Sequence, residues 1–431
     1  MRSSDASRSS ATHDFEALRT TAVTLLTGGD FDITDPVYAR PLAALSERAA
    51  TWLAQMVPGL IWPDLPLEGR PGHVTGSYGR LRAIAAAWAT PGTAQHGDDA
   101  VAAKVIEALD LLYERHYNER LPETGNWWFW EIGTPAELSR ACVLLGDRLD
   151  APRLESYLGA IDRFCPDADR RAGWPDASES GANRADKAAI VAFRGVAGRR
   201  ADKLALARDG LSDVRDGGRH SVFGYVDSGD GFHRDGSFIQ HDVVAYTGSY
   251  GLSLLIAVSE TVALLHGSPW EISDPGQQVV LDAVERSFAP FIHDGLLMDT
   301  VRGRAATRQA FPDSVAGHGA TGAVLLLARS APEPYRGRFR SWPRAGSSAA
   351  GRCPTWSTRA WRRPGGRSRC WTTRRSRPRP GPTGTSCSPR WTGSCTGGRD
   401  GRWRSACRRS GPPRTRRSTA RTGTAGTPAT A

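Results

Sequence analysis

From Ser341 to Ala431 the chain uses only Ser, Trp, Pro, Arg, Ala, Gly, Cys and Thr, apart from Asp400. Without Leu, Ile, Val, Met, Phe or Tyr, such a segment cannot bury a core, so any globular fold has to come from residues 1–340. The charge divides near the same place. Residues 331–431 hold 24 Arg, no Lys, one Glu and one Asp, a net of +22, which leaves 1–330 at −11. The overall +11 is therefore a property of the tail. All eight residue types have codons with G or C at the second position. A GC-rich gene read one base out of frame moves its third-position bias there. The expectation is an out-of-frame segment that begins near Arg340. The bases encoding Ser341-Trp-Pro-Arg-Ala-Gly-Ser347 can read Leu-Ala-Lys-Gly-Trp-Ile in the neighbouring frame, a helix continuation. The alternative is an Arg-rich disordered arm that binds nucleic acid. Resequencing the locus separates them, and an intact frame at moderate GC content excludes the first.

Residues 14–330 carry helical periodicity, with apolar residues three and four apart as in Val101-Ala-Ala-Lys-Val-Ile-Glu-Ala-Leu-Asp-Leu-Leu-Tyr113. The pattern predicts helices near 14–28, 37–57, 77–90, 99–116, 135–147, 151–163, 184–192, 198–209, 249–266, 275–290 and 315–329. β-branched alternation is scarce. The fold class is thus all-α, a stack of helical hairpins in an α/α array or toroid. Three segments follow: a disordered N-terminus over 1–13, a helical domain over 14–340, and a disordered tail over 341–431. Cys142 and Cys165 alone precede the tail, which fits two buried thiols rather than a disulfide framework. The polar, Ser-rich start shows no signal peptide, and no stretch is read as a membrane span.

The longer connections, near 117–134, 165–183, 214–248 and 294–314, hold most of the unusual residues, and long loops on a helical scaffold commonly carry function. Asn126-Trp-Trp-Phe-Trp-Glu-Ile-Gly133, three Trp and a Phe beside Asn and Glu, suits stacking on sugar rings, or else a packing node between helices. Ser180-Gly-Ala-Asn-Arg-Ala-Asp186 opens a helix, where Asn183 is either the N-cap or an amide facing an anion. The stretch Gly229–Tyr250 contains His233, His241, Tyr246 and Tyr250. His233 is read as a polar loop residue. His241 and Tyr250 are nine apart and would fall on opposite faces of one helix, so a shared site requires a loop that feeds a helix start. Arg304 and Arg308 share a face in either a helix or a strand and suit carboxylate or sulfate groups. No metal-ligand spacing occurs.

Taken together, six blocks resemble the polysaccharide lyase family of hyaluronate, chondroitin AC and xanthan lyases: Asn126–Pro135, Gly181-Ala-Asn-Arg184, Asp230–His241, Tyr246-Thr-Gly-Ser-Tyr-Gly251, Gly267-Ser-Pro-Trp270 and Gly303–Arg308. The resemblance spans about residues 40–340. It implies an α/α toroid, here incomplete and without the family's downstream antiparallel β-sandwich domains. It further implies β-elimination on a uronic acid-containing polymer, giving a 4,5-unsaturated uronate. Asn183 would bind the carboxylate, Tyr250 would move the C5 proton, Arg304 would stabilise the phenolate and His241 would assist. Trp127, Trp128, Asn126 and Arg308 would hold substrate. The implied partner is an acidic polysaccharide, with no cofactor, no metal, no nucleic acid and no membrane. An extracellular location is implied and a monomer is the default expectation. Two rivals compete. One is an inverting glycoside hydrolase that uses Glu131 and Asp235 at about 6.5–9.5 Å. The other is a non-catalytic glycan-binding fragment, since loss of the β region would remove part of the cleft wall and leave the product inactive.

Overall fold

The computed structural model describes residues 2–347; of the disordered tail expected over 341–431, the first seven residues are helical and the rest lies outside the described residues. Twelve α-helices run through the described residues. They are α1 (Arg2–Thr27), α2 (Ala39–Ala54), α3 (Pro71–Ala89), α4 (Asp99–Arg115), α5 (Thr134–Leu145), α6 (Ala151–Phe164), α7 (Gly181–Ala197), α8 (Ala201–Ser212), α9 (Leu252–Leu265), α10 (Gln277–Ala283), α11 (Asp313–Leu327) and α12 (Tyr335–Ser347). α3 packs on α5, α5 on α7, α7 on α9 and α9 on α11, while α4, α6, α8 and α12 lie against α3, α5, α7 and α11. Alternate helices form an inner row and their neighbours an outer one, the α/α toroid of helical hairpins that the periodicity implies. α1 lies against α3, α5, α7 and α9.

Local chemistry explains four of the helix starts. Asp98 accepts from Ala100 N at 2.8 Å and Asp150 from Arg153 N at 3.0 Å, so both satisfy first-turn donors that otherwise have no partner. Pro71 and Pro135 open α3 and α5, where a missing N–H has no consequence. α1 begins at Arg2, inside the stretch read as a disordered N-terminus; that stretch has no apolar repeat to announce a helix. α3 starts six residues before its expected start, because Gly72 and Gly76 mask the periodicity of its first turns. α12 crosses the residue-alphabet break and runs on to Ser347. Thr247–Leu265 is long and apolar enough, by length and composition, to cross a membrane, which corrects the reading that no stretch qualifies. It is apolar all round because α9 is a core helix between α7 and α11. Cys142 and Cys165 are free and buried, and burial pushes both thiols up to about 12.

Strands are short and few among the described residues. β1 (Gly231–Phe232), β2 (Phe238–Gln240) and β3 (Val244–Ala245) form an antiparallel meander, with Gly231 opposite Ile239 and Ile239 opposite Ala245. β4 (Ile292–His293) and β5 (Leu296–Leu297) form a hairpin. Both lie in long connections rather than in a layer of their own.

α7 is the most deeply buried helix, and it carries two buried cations one turn apart. Arg184 is fully buried and donates to Asp169 Oδ1 at 2.7 Å, Gly210 O at 2.7 Å and Glu179 O at 2.9 Å, with Asp213 Oδ1 at 2.9 Å. It thereby ties the 165–180 loop to the end of α8. Lys187, also fully buried, donates to Glu131 Oε2 at 3.0 Å, Glu179 Oε1 at 3.3 Å and the Arg170 carbonyl. Removing one member of a buried ion pair strands the other charge in low dielectric, at a cost of about 3–5 kcal/mol. Arg184→Met should therefore lower the unfolding free energy by about that amount in a denaturant titration. A loss below about 1 kcal/mol would show that Asp169 and Asp213 are solvated rather than dependent on Arg184.

Candidate active site

His241 and Tyr250 meet because the chain between them is not one helix. His241 directly follows β2 and Tyr250 lies in a π-turn, Thr247–Gly251, that leads into α9. Their rings are 4.9 Å apart and nearly perpendicular, and Tyr246 packs 5.1 Å from Tyr250. His241 and Asp242 both take left-handed backbone, with φ of 55° and 62°. Two adjacent non-glycine residues in that region store strain, and something must hold them.

Asp230 does this. Its Oδ1 accepts from Asp242 N at 2.9 Å, and its Oδ2 accepts from Ser180 Oγ at 3.0 Å and from Gln240 Nε2. Gln240 Oε1 in turn accepts from Ala182 N at 3.1 Å, capping α7. One carboxylate and one amide thus knot the His241 turn to the start of the helix that carries Asn183. Gly181 is required at this knot: its φ is +52°, and a Cβ would stand 2.6 Å from Gln240 Oε1. Asn183 is therefore not the N-cap. Ser180 occupies that position and Asn183 follows three residues later, half-buried, with its amide unbonded to any described residue. Ser253 Oγ bonds both oxygens of Asp186 at 3.0 Å, which fastens the starts of α7 and α9 together. Burial pushes the Asp186 carboxyl up to about 7, against the Ser253 bond and the Arg140 charge.

Arg304 arrives from a third segment. Its Nη2 donates to Tyr250 Oη at 2.8 Å. The 299–311 loop that delivers it is keyed from within by Arg302, which is buried and donates to Ala305 O at 3.2 Å, Asp299 and the Phe311 carbonyl. Gly303, at φ +53°, lies so close under Tyr246 that a Cβ would sit 2.0 Å from its ring. Arg308 is exposed and ends the 3-10 turn Gly303–Thr307. At three residues per turn, Arg304 and Arg308 diverge by about a third of a turn, so the shared face expected for them does not form.

The aromatic block folds as a π-turn, Phe129–Gly133, ahead of α5. Trp127 and Trp128 are half-buried, whereas Trp130 is buried and donates to Thr124 O at 2.8 Å. Asn126 is exposed and uses its Oδ1 to accept from Trp128 N at 3.0 Å. Glu131 is wholly buried and accepts from Lys187, Arg171, Ala172 N and Gly173 N. Burial alone would raise its carboxyl, but the Lys187 charge and these bonds outweigh that and hold it below the usual range. Asp235 caps its own turn by accepting from Ser237 N at 2.9 Å. Glu131 is therefore a structural carboxylate with no oxygen open to a substrate. His233, read as a polar loop residue, does lie in the loop between β1 and β2, but it is buried and donates to Gly229 O at 3.0 Å, a brace for the meander.

Sequence reading missed Asp230, Gln240, Arg184 and Arg171 as parts of this site. Three of them stood inside motifs already singled out, but nothing in the spacing said which side chain bonds and which faces outward.

A family model described as polysaccharide lyase family 8, N terminal alpha-helical domain, matches residues 23–343. A hyaluronate lyase of Thermasporomyces composti is 42% identical over 340 residues, 77% of this chain and 42% of that protein. A xanthan lyase of Bacillus sp. (strain GL1) is 37% identical over 336 residues, 77% of this chain and 34% of that protein. The X-ray structure of a Streptomyces coelicolor A3 chondroitin AC lyase in complex with chondroitin sulphate superposes with a TM-score of 0.72 at 37% identity, covering 80% of this chain and 48% of that one. The chain thus spans less than half the length of these relatives.

If Asp230 is the knot that holds the His241 turn and the start of α7, Asp230→Ala should leave the fold cooperative and lose about 1–3 kcal/mol of stability. Backbone amide exchange at Asp242 and Ala182 should accelerate together. Acceleration at one and not the other would show that the two segments are held separately.

Proposed function

Since the chain belongs to polysaccharide lyase family 8, we propose that residues 14–340 act as the helical catalytic domain of a lyase that cleaves uronic acid-containing polysaccharides by β-elimination. The observation that carries this is the 2.8 Å bond from Arg304 to the Tyr250 oxygen beside the His241 ring. A guanidinium donating to that oxygen stabilises negative charge on it, which a tyrosine needs in order to accept a proton.

In this scheme the Tyr250 oxygen takes the C5 proton of the uronate. The electron pair left at C5 forms the C4–C5 double bond as the C4–O bond breaks. The proton then passes from Tyr250 to the departing glycosidic oxygen, so no group is left over. The C5 proton is a poor acid while the adjacent carboxylate keeps its full charge. The Asn183 amide, free of other described partners, bonds that carboxylate and stabilises the enolate as it develops. His241 shares the carboxylate or serves as a second base. Trp127 and Trp128 provide aromatic surface for the sugar rings, with Asn126 at their edge. Arg308, exposed beyond Arg304, meets substrate anions.

Residues 1–330 carry a net −11, which opposes long-range attraction of a polyanion. Exposed Arg304 and Arg308 act at contact distance, where charge screened over more than about 10 Å matters little. The hydrolase reading loses its acid, because Glu131 is buried among four donors. The substrate class is hyaluronan, chondroitin or a xanthan-like polymer, and a polymer of that size places the reaction outside the cell.

The test is an ultraviolet assay for the conjugated unsaturated uronate, with the chain and its Tyr250→Phe variant against each of the three polymers. Tyr250→Phe should reduce product formation by about 10²–10⁴-fold. Equal rates overturn the mechanism. Polymer binding without product by the wild-type chain points instead to a glycan-binding fragment.

A further inference from the structure

Trp127 has one face already covered. The guanidinium carbon of Arg171 lies 3.7 Å from the centroid of its ring, the separation of a stacked pair. Arg171 cannot easily swing away. Its Nε donates to Glu131 Oε1 at 3.2 Å, and the same buried carboxylate accepts from Ala172 N at 3.0 Å and Gly173 N at 3.2 Å. Glu131 therefore grips both the side chain of Arg171 and the backbone that follows it, and Lys187 balances its charge from behind. The loop is pinned again one residue earlier. Arg170 forms two bonds to Asp216 at 2.7 and 2.8 Å and a β-bridge to Ser178. Glu131 lies only four residues after Trp127, so the short segment that carries the indole also carries the anchor of the cation stacked on it.

We propose that Arg171 is the positioning residue of the aromatic subsite: fixed by Glu131, it stacks on one face of Trp127, holds the indole in a single orientation and leaves the opposite face to the sugar. Its consequence for substrate rests on Trp127 being the sugar platform; the positioning itself does not. A half-buried indole without that partner would rotate about its side-chain bonds, and each binding event would then have to order it. Arginine is required rather than any cation. Its planar, weakly hydrated guanidinium stacks on the ring while Nε keeps the carboxylate, whereas a lysine ammonium can meet Glu131 or lie over the ring but offers no plane to stack.

Two measurements on the intact chain test this. The first needs no ligand. In oxidative footprinting read by mass spectrometry, Arg171→Lys should raise the oxidation rate of Trp127 by about 3-fold or more, with buried Trp62 unchanged as a control for folding. An unchanged Trp127 rate overturns the positioning. The second is the affinity of size-defined chondroitin and hyaluronan oligosaccharides, together with KM and kcat where the wild type turns over. Arg171→Lys should weaken binding about 3- to 10-fold and raise KM with kcat unchanged. With Trp127→Ala already present, Arg171→Lys should add less than 2-fold. An equal loss with and without Trp127→Ala shows that Arg171 does not act through the indole and overturns the proposal. Arg171→Met serves as a second variant and should match Arg171→Lys in both measurements; its Glu131 charge is still met by Lys187. If the wild-type chain binds none of these oligosaccharides, the substrate reading fails and the footprint alone decides whether Arg171 positions Trp127. If Tyr250→Phe proves as active as wild type, the elimination mechanism fails and the coupling between Arg171 and Trp127 is unaffected.

Discussion

Two cations buried one turn apart on α7 hold the rest of the site in place. Arg184 collects Asp169, Glu179, Gly210 and Asp213; Lys187 collects Glu131, Glu179 and Arg170. Neither can leave the interior without stranding carboxylates there. The loop from 165 to 180 and the π-turn behind the tryptophans are therefore fixed relative to one helix. That helix also carries Asn183 in its first turn, in a half-buried position just before the buried pair.

The chemistry then comes from three segments that are distant in the chain and arrive at one place. Gln240 and Asp230 join the His241 turn to α7, Ser253 and Asp186 join α7 to α9, and Gly303 seats the arginine loop under Tyr246. Each joint depends on a small or polar residue at a position where a larger side chain would clash or a polar group would lose its partner. The result is a tyrosine oxygen with a guanidinium on it and an imidazole beside it, at the starts of two inner helices.

Much of this was legible in the residue order. Apolar spacing located eleven helices, and the long connections between them hold Asn183, His241 and Arg304, with Tyr250 just past the end of the third. The misses have physical causes. Glycines hid the first turns of α3, and α1 began where no apolar repeat marks it. Glu131 stood in an aromatic motif and looked available for acid–base work; its burial depends on Lys187 and Arg171, 56 and 40 residues away. The sequence separated His233 from His241 only by the tyrosines near the second; the meander turns His233 inward to a carbonyl and His241 outward to Tyr250.

By itself the sequence determined the all-α class and singled out Asn183, His241, Tyr250 and Arg304 as candidates, because periodicity and motif order are local properties of the chain. Which of its many polar side chains are structural and which are presented to a ligand was decided by tertiary structure alone. That choice turns on desolvation: a carboxylate or guanidinium surrounded by fixed partners is spent on the fold, and one with an open side is left for chemistry.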